Sequence, residues 1–415
     1  MSSPSAWSDW VEASCRTVEA AHRWRRPRTF DARGPVGRMA PVGPGGRGPD
    51  PEIVSFASND YLGLSCHPAV VAAAHQALDR WGAGSGASRL VTGSRPIHAE
   101  LEAMLAEWKD CERAIVFPTG FAANLSVLSV FASDGASVFS DELNHASIID
   151  GCRAARAEVS VYRHRDLEHL TQLVAGSAGR PIIVSDTVFS MDGDAADLSG
   201  LVDVARRFGA LLILDEAHAV LGPELPISAT TGDGLGVDIL RVGTLSKTLG
   251  SLGGFVAGPG RFVELLVNRA RPYIFTTAPS PANAAAALAA VGIVRSPEGA
   301  ALRRRLTELV TRVSDAIGGG ATRTGPRSPI VPVIIGDERR AVAASDRLLA
   351  HGLWVPAIRP PTVPTGTSRL RVTLSSIHTD DQVERLIAEL VALGARDGPG
   401  GPTSDRDEIG SVVAS

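Results

Sequence analysis

Lysine stands at only two positions, Lys109 and Lys247, in a chain whose Lys and Arg together number 41. A lysine amine can attack an aldehyde and form an imine; a guanidinium stays protonated and delocalised and cannot. A composition rich in Ala, Gly, Arg and Pro can exchange surface lysine for arginine, so scarcity narrows the search without deciding it. Lys109, in Glu107-Trp108-Lys109-Asp110, closes a helical pattern and reads as a solvated charge. Lys247 lies in the polar, glycine-bounded stretch Gly243-Thr244-Leu245-Ser246-Lys247-Thr248-Leu249-Gly250. A second constellation is the apolar run Leu211-Leu212-Ile213-Leu214 ending in Asp215-Glu216-Ala217-His218. A third is Pro118-Thr119-Gly120-Phe121-Ala122-Ala123-Asn124, which follows an apolar run and opens a helical pattern. Free N–H groups and the dipole at such a helix start receive phosphate, and a glycine lets the backbone come close. An amine, a carboxylate and a phosphate cradle are what pyridoxal phosphate needs: an aldehyde partner, a counter-charge for its pyridine nitrogen, and phosphate donors.

The same Asp215-Glu216-Ala217-His218 letters also spell the acidic box of helicase-type ATPases. That reading requires an upstream Gly-x-x-x-x-Gly-Lys-Ser/Thr loop, and neither lysine has that context. Two further residues follow apolar runs. His145, in Asp141-Glu142-Leu143-Asn144-His145-Ala146-Ser147, is placed to stack on a pyridine ring, or to act as a helix cap. Ser190, in Val188-Phe189-Ser190-Met191-Asp192-Gly193-Asp194, is placed to hydrogen-bond the ring or a substrate, or is a turn serine.

The elements that must position these residues are legible as short aliphatic runs at 114–117, 137–140, 159–162, 182–185, 211–214, 239–242 and 254–257, alternating with helical patterns. Continuous rather than alternating apolar runs suit strands buried on both faces, hence a largely parallel α/β sheet covered by helices. Residues 6–26 have helical spacing, and 34–51 are so rich in Gly and Pro that they read as loop or extended chain. Helices are predicted at 282–293, 298–316, 339–351 and 380–393, and strands at 330–335 and 370–374. The expected organisation is an N-terminal helix and Gly/Pro-rich segment (1–58), a large cofactor-binding domain (59–296), a smaller α+β domain (297–394) and a disordered tail (395–415).

The net charge of −4 gives no support for nucleic acid or an anionic membrane as the main partner. Arg23, Arg25, Arg26 and Arg28 form a local basic cluster, either a solvated helix end or a site for one acidic group. Cys15, Cys66, Cys111 and Cys152 are widely spaced without a Cys-x-x-Cys pair, which argues against a zinc site or disulfide framework. No segment reads as a secretory signal, and the most apolar run, 282–294, is too short to span a bilayer. A cytoplasmic protein is the expectation.

Ser58-Asn59-Asp60-Tyr61-Leu62-Gly63-Leu64, Gly84-Ser85-Gly86-Ala87-Ser88-Arg89, Asn144-His145-Ala146-Ser147, the Ser190 loop, Asp215-Glu216-Ala217-His218 and Thr244-Leu245-Ser246-Lys247 follow one another in an order and spacing that resemble the α-oxoamine synthases. These are pyridoxal phosphate enzymes of fold type I that condense an amino acid with an acyl thioester and release carbon dioxide. The resemblance runs from about residue 59 to 393. Residues 358–364, Ile-Arg-Pro-Pro-Thr-Val-Pro, most resemble members that join L-alanine to a pimeloyl thioester, carried by CoA or an acyl carrier protein; siblings using glycine are the alternative.

By that resemblance, Lys247 holds the cofactor and acts as base, Asp215 pairs with the pyridine nitrogen, His218 bonds the phenolic oxygen and His145 stacks on the ring. Gly120, Phe121 and Thr244 hold the phosphate side, with Thr276 and Thr277 reaching the site of a second subunit, which implies a homodimer. Arg371 clamps the amino acid carboxylate with help from Asn59, and Thr362 and Arg25 contact the acyl substrate. Residues 219–226 depart from the glycine-rich loop usual in the family.

Overall fold

The computed structural model describes residues 5–21, 23–25, 27–39, 52–133, 135–223, 225, 236–318 and 327–394. The expected tail after 394, the part 40–51 of the Gly/Pro-rich segment, and residues 224 and 226 of the altered loop lie outside these residues. Helix α1 (Ala6–Ala20) is capped by Ser5 and buries none of its residues. It stops short of the expected residue 26 because the basic run is drawn away from the helix axis: Arg23 pairs with Glu338 and Arg28 with Asp346, both on the helix Glu338–Ala350. Strands β1 (Phe30–Ala32), β2 (Val36–Met39) and β3 (Glu52–Ser55) follow. The Gly/Pro-rich segment thus begins as a paired strand.

Helices α2 (Pro68–Trp81) and α3 (Pro96–Trp108) lead into a run of strands and helices: β4 (Arg113–Phe117), α4 (Gly120–Phe131), β5 (Ala136–Asp141), α5 (Ala146–Ala154), β6 (Glu158–Tyr162), α6 (Leu167–Ala175), β7 (Arg180–Asp186), α7 (Leu198–Phe208), β8 (Leu211–Asp215), β9 (Ile239–Thr244) and β10 (Gly254–Gly258). Their sheet has the order β4-β10-β9-β8-β7-β5-β6. Every residue of β5 and β10 is buried, as expected of strands covered on both faces. One apolar layer packs α4 and α5 on one face; a second packs α6 and α7 on the other.

β10 alone runs against its neighbours, antiparallel to both β9 and β4. Residues 245–253 are too few to form the crossover that a parallel return needs, so the chain doubles straight back. Lys247 sits in this short return. Gly254 lies where a Cβ would come 2.4 Å from the Thr119 carbonyl oxygen and 2.5 Å from the Gly120 nitrogen, so only glycine lets the return pack against the start of α4.

Beyond the helices Pro281–Val294 and Pro297–Ala316, strands β11 (Ile330–Gly336), β12 (Leu353–Trp354), β13 (Ala357–Ile358) and β14 (Ser368–Thr373) complete the described strands. β11, β14 and β13 form a three-stranded antiparallel sheet backed by the helix Glu338–Ala350. β12 instead pairs in parallel with β3, stitching the first strands of the chain to its last third. No single described helix is long and apolar enough to cross a membrane.

Candidate active site

The carboxyl ends of β4, β5, β7, β8 and β9 open onto one crevice, where ligands of open α/β sheets bind. The turn after β4 starts α4. Thr119 caps that helix by accepting from the Ala122 N–H at 3.0 Å, which leaves the Gly120 and Phe121 N–H groups without an intrahelical acceptor. Gly120 lies against Thr244, the last residue of β9: a Cβ there would stand 3.3 Å from that of Thr244. Thr244 in turn accepts from the Ser246 N–H at 3.1 Å, shaping the turn that carries Lys247.

Asp215 ends β8. Its carboxylate accepts from Asn124 Nδ2 at 2.6 Å and from the Ala217 N–H at 2.9 Å. Asn124 sits one turn into α4, four residues from Gly120, so the helix that offers free N–H groups also fixes the carboxylate. Asp186, beside Asp215 on β7, is held well above the usual carboxylate range by burial and by the Asp215 charge. It accepts from the His145 N–H at 2.8 Å. His145 is the N-cap of α5, its Nδ1 accepting from the Ser147 N–H at 3.2 Å, so the capping role and the placement beside the crevice belong to one side chain. Burial lowers its pKa; the Asp215 charge opposes this.

His218 Nε2 lies 2.7 Å from Lys247 Nζ, and His218 Nδ1 lies 2.5 Å from the Tyr61 hydroxyl. Burial depresses the Lys247 amine, against the Asp215 and Asp186 charges that would raise it. Burial, reinforced by Lys247 and Arg371, holds His218 well below the usual imidazole range. An uncharged imidazole therefore faces an amine biased toward its nucleophilic form.

Arg371, on β14, reaches in from the three-stranded sheet. Its Nε donates to the Ser190 carbonyl at 2.6 Å, and Nη1 and Nη2 each donate to Asn59 Oδ1 at 3.2 Å. Arg369, also on β14, pairs with Asp192, so both arginines clip the 190–194 loop. On its other side that loop is held by His164, bridged between Asp141 at 2.9 Å and Asp194 at 2.8 Å.

Four expected residues stand apart from this cluster. Thr276 and Thr277 are exposed and follow Phe275, which is 68% exposed. Arg25 and Thr362 are exposed on two segments that meet, since Arg359 donates to the Trp24 carbonyl at 3.2 Å. Lys109 requires correction: it is not a solvated charge. Its Nζ lies 2.7 Å from Glu216 Oε2, with only 11% of its side chain exposed, and 3.8 Å from the centre of the Trp108 ring. Glu216 bonds Arg241 at 2.6 Å through its other oxygen. Burial alone would raise its pKa, but the two cations hold it below the usual range. A carboxylate committed to two buried cations is not available to activate water, which removes the ATPase reading of the acidic box.

Sequence reasoning assigned no role to Tyr61, Asn124, Asp186 or Glu216. Tyr61 and Asn124 fall inside motifs already singled out, two residues from Asn59 and four from Gly120. Their partners lie far along the chain, and spacing carries no sign of them.

The donor set fits pyridoxal phosphate: an amine of lowered pKa, a carboxylate fixed at the facing strand end, and two free N–H groups at a helix start packed against Thr244. Fold and site together define an α/β enzyme built around an aldehyde-bearing, phosphorylated cofactor. The chain belongs to the aminotransferase class I and II family, whose model matches residues 51–390. It is 47% identical over 349 residues to an 8-amino-7-oxononanoate synthase of Geobacter sulfurreducens, covering 83% of this chain and 89% of that one. A namesake from Anaeromyxobacter dehalogenans is 47% identical over 406 residues, 95% of this chain and 98% of its own. Among solved structures, a lysine-to-alanine variant of serine palmitoyltransferase from S. paucimobilis with bound PLP and myriocin superposes with a TM-score of 0.83 at 29% identity, covering 93% of this chain and 97% of that chain.

Proposed function

We propose that this chain condenses L-alanine with a pimeloyl thioester, releasing carbon dioxide, to form 8-amino-7-oxononanoate, with pyridoxal 5′-phosphate as cofactor. The observation that carries the reading is the half-buried Lys247 amine, 2.7 Å from His218 and flanked by the Asp215 strand end and the free start of α4. When bound, the cofactor supplies an electron sink that stabilises negative charge at the amino acid α-carbon. Lys247 would hold its aldehyde, and its amine would serve as the base that takes the proton from that carbon. Asp215, immobilised by Asn124 and the Ala217 N–H, keeps the pyridine nitrogen protonated. His218 would donate to the phenolic oxygen, and His145 would stack on the ring.

Gly120, Phe121 and Thr244 receive the phosphate, joined by Thr276 and Thr277 of a second copy. Ser190 lines the ring from the loop that also braces Arg371. Arg371 binds the alanine carboxylate, with Asn59 already engaged on both of its Nη atoms. Arg25 and Thr362, on their two meeting segments, contact the acyl group, delivered by CoA or a carrier protein. Residues 59–296 form the large cofactor-binding unit and 297–394 the small one, and the chain works in the cytoplasm as a homodimer.

The test is to reduce the cofactor-loaded protein with borohydride and map the modified peptide, then to assay product from alanine or glycine with pimeloyl-CoA. Label on Lys247, its loss in Lys247→Ala with melting temperature retained, and preference for alanine are expected. Label elsewhere, or preference for glycine with acetyl-CoA, overturns the reading.

A further inference from the structure

Tyr61 is wholly buried, and nothing in the reaction as described uses it. Its backbone is locked on both sides: the Tyr61 N–H donates to the Asn59 carbonyl at 2.9 Å, and its carbonyl accepts from the Ser376 N–H at 2.8 Å. The hydroxyl has two partners in reach, His218 Nδ1 at 2.5 Å and Asn59 Oδ1 at 3.2 Å. These are unequal. Asn59 Oδ1 already accepts two N–H groups from Arg371, which occupies both of its lone pairs. The single phenolic proton is therefore best used on His218 Nδ1, at the shorter distance.

That choice propagates. A neutral imidazole that accepts at Nδ1 carries its proton on Nε2. Nε2 points at Lys247 Nζ, 2.7 Å away, and an N–H donor there needs a nitrogen lone pair to receive it. An ammonium would meet it donor against donor.

We propose that Tyr61 is a positioning residue that fixes the tautomer of His218 and thereby holds the Lys247 amine in its unprotonated, reactive form. This rests on the reading that Lys247 is the reacting amine. Lys247 is also faced by Asp215 on β8 and Asp186 on β7, whose charges favour the ammonium, and by Arg371 on β14, which opposes it. His218 is faced by Lys247, Arg371 and His145, all of which disfavour an imidazolium. The Tyr61 phenol itself, pushed up to about 12 by burial despite Arg371, stays protonated and able to donate throughout the neutral range. Without the hydroxyl, His218 is free to carry its proton on Nδ1 and to accept from a Lys247 ammonium through Nε2.

Competitive acetylation of the cofactor-free chain tests this directly, because only two lysines have to be resolved by peptide mass. Acetic anhydride is applied across pH with free phenylalanine as internal standard. Lys109, buried in its ion pair, becomes labelled only if the chain unfolds and so reports on the fold. In Tyr61→Phe the Lys247 labelling midpoint is expected to rise by about one pH unit, roughly a tenfold loss of free amine at neutral pH, with Lys109 still protected. The rate at which added pyridoxal phosphate is captured on Lys247 falls by the same factor and recovers as pH rises. Coincident Lys247 profiles in the two proteins overturn the proposal, even if borohydride still places cofactor on Lys247. If Lys109 labelling shows Tyr61→Phe unfolded, 3-fluorotyrosine placed at 61 takes over: as a stronger donor it lowers the midpoint, and an unchanged or raised midpoint overturns the proposal.

Discussion

At the scale of single residues, the two lysines are both half-buried amines with different partners. Lys247 faces an uncharged imidazole and is kept reactive; Lys109 faces a carboxylate shared with Arg241, and burial lowers its pKa while the Glu216 charge opposes that shift. Removing one partner of such a buried ion group leaves an uncompensated charge and costs about 3–5 kcal/mol. Lys109→Ala is accordingly expected to lose stability on that order in a urea titration, and Lys109→Arg to be destabilised as well, because the longer fork must fit between Glu216 and the Trp108 ring. A titration curve for Lys109→Ala that overlays the wild type would refute the pairing. Lys109 was misread because its sequence neighbours, Trp108 and Asp110, look like a helix end at the surface, while the carboxylate that captures it comes from beyond β8. The amine, carboxylate and phosphate turn were legible because each ends an apolar run. Tyr61 and Asn124 were not, because what defines them is a hydrogen bond across the sheet.

At the scale of elements, the loop 190–194 is the joint between the two sheets. Arg369 and Arg371 hold it from β14, and His164 holds it from the far side through Asp141 and Asp194. Burial alone would lower the His164 pKa, but hydrogen bonds to the two carboxylates outweigh it and raise the value from 6.5 to about 9. A pKa raised on folding contributes stability that is whole below the unfolded value and lost as pH climbs through the folded one. The clip is thus complete below pH 6.5 and gone above about 9, a difference of roughly 3 kcal/mol. Wild-type unfolding free energy should fall across that interval, and His164→Gln should flatten the fall. Equal slopes in the two proteins would remove His164 as the clip. The strands themselves were legible, since seven continuous apolar runs match seven strands of one sheet. The reversed direction of β10 was not, because chain direction follows from loop length rather than from the run. Nor was the end of α1, which is decided by Glu338 and Asp346, remote in sequence.

At the scale of the whole molecule, Leu90, Val91 and Phe275 expose 53%, 73% and 68% of their surface. They are brought near one another by the Ser88–Thr277 bridge and by the Ala278 N–H donating to the Ala87 carbonyl at 2.9 Å. An apolar surface beside Thr276 and Thr277 suits the second copy proposed above to share the site. Phe275→Asp is expected to convert a sedimenting dimer to monomer and to weaken cofactor binding at least tenfold; a variant that remains dimeric with unchanged affinity would exclude this face. No periodicity in the sequence announced the patch, because its residues come from two segments joined only by the fold. The short return from β9 to β10 has a further consequence, for the order in which the molecule assembles. The bonds that shape the Lys247 turn close over at most nine residues, as in Thr244 Oγ1 to the Gly253 carbonyl. The contacts that give the amine its surroundings span 91 residues for Asn124 and Asp215, 157 for Tyr61 and His218, and 312 for Asn59 and Arg371. Contacts distant in sequence form late. A refolding chain therefore sets its amine in place early and makes it competent last, so the moment at which the chain first captures its cofactor marks the completion of folding.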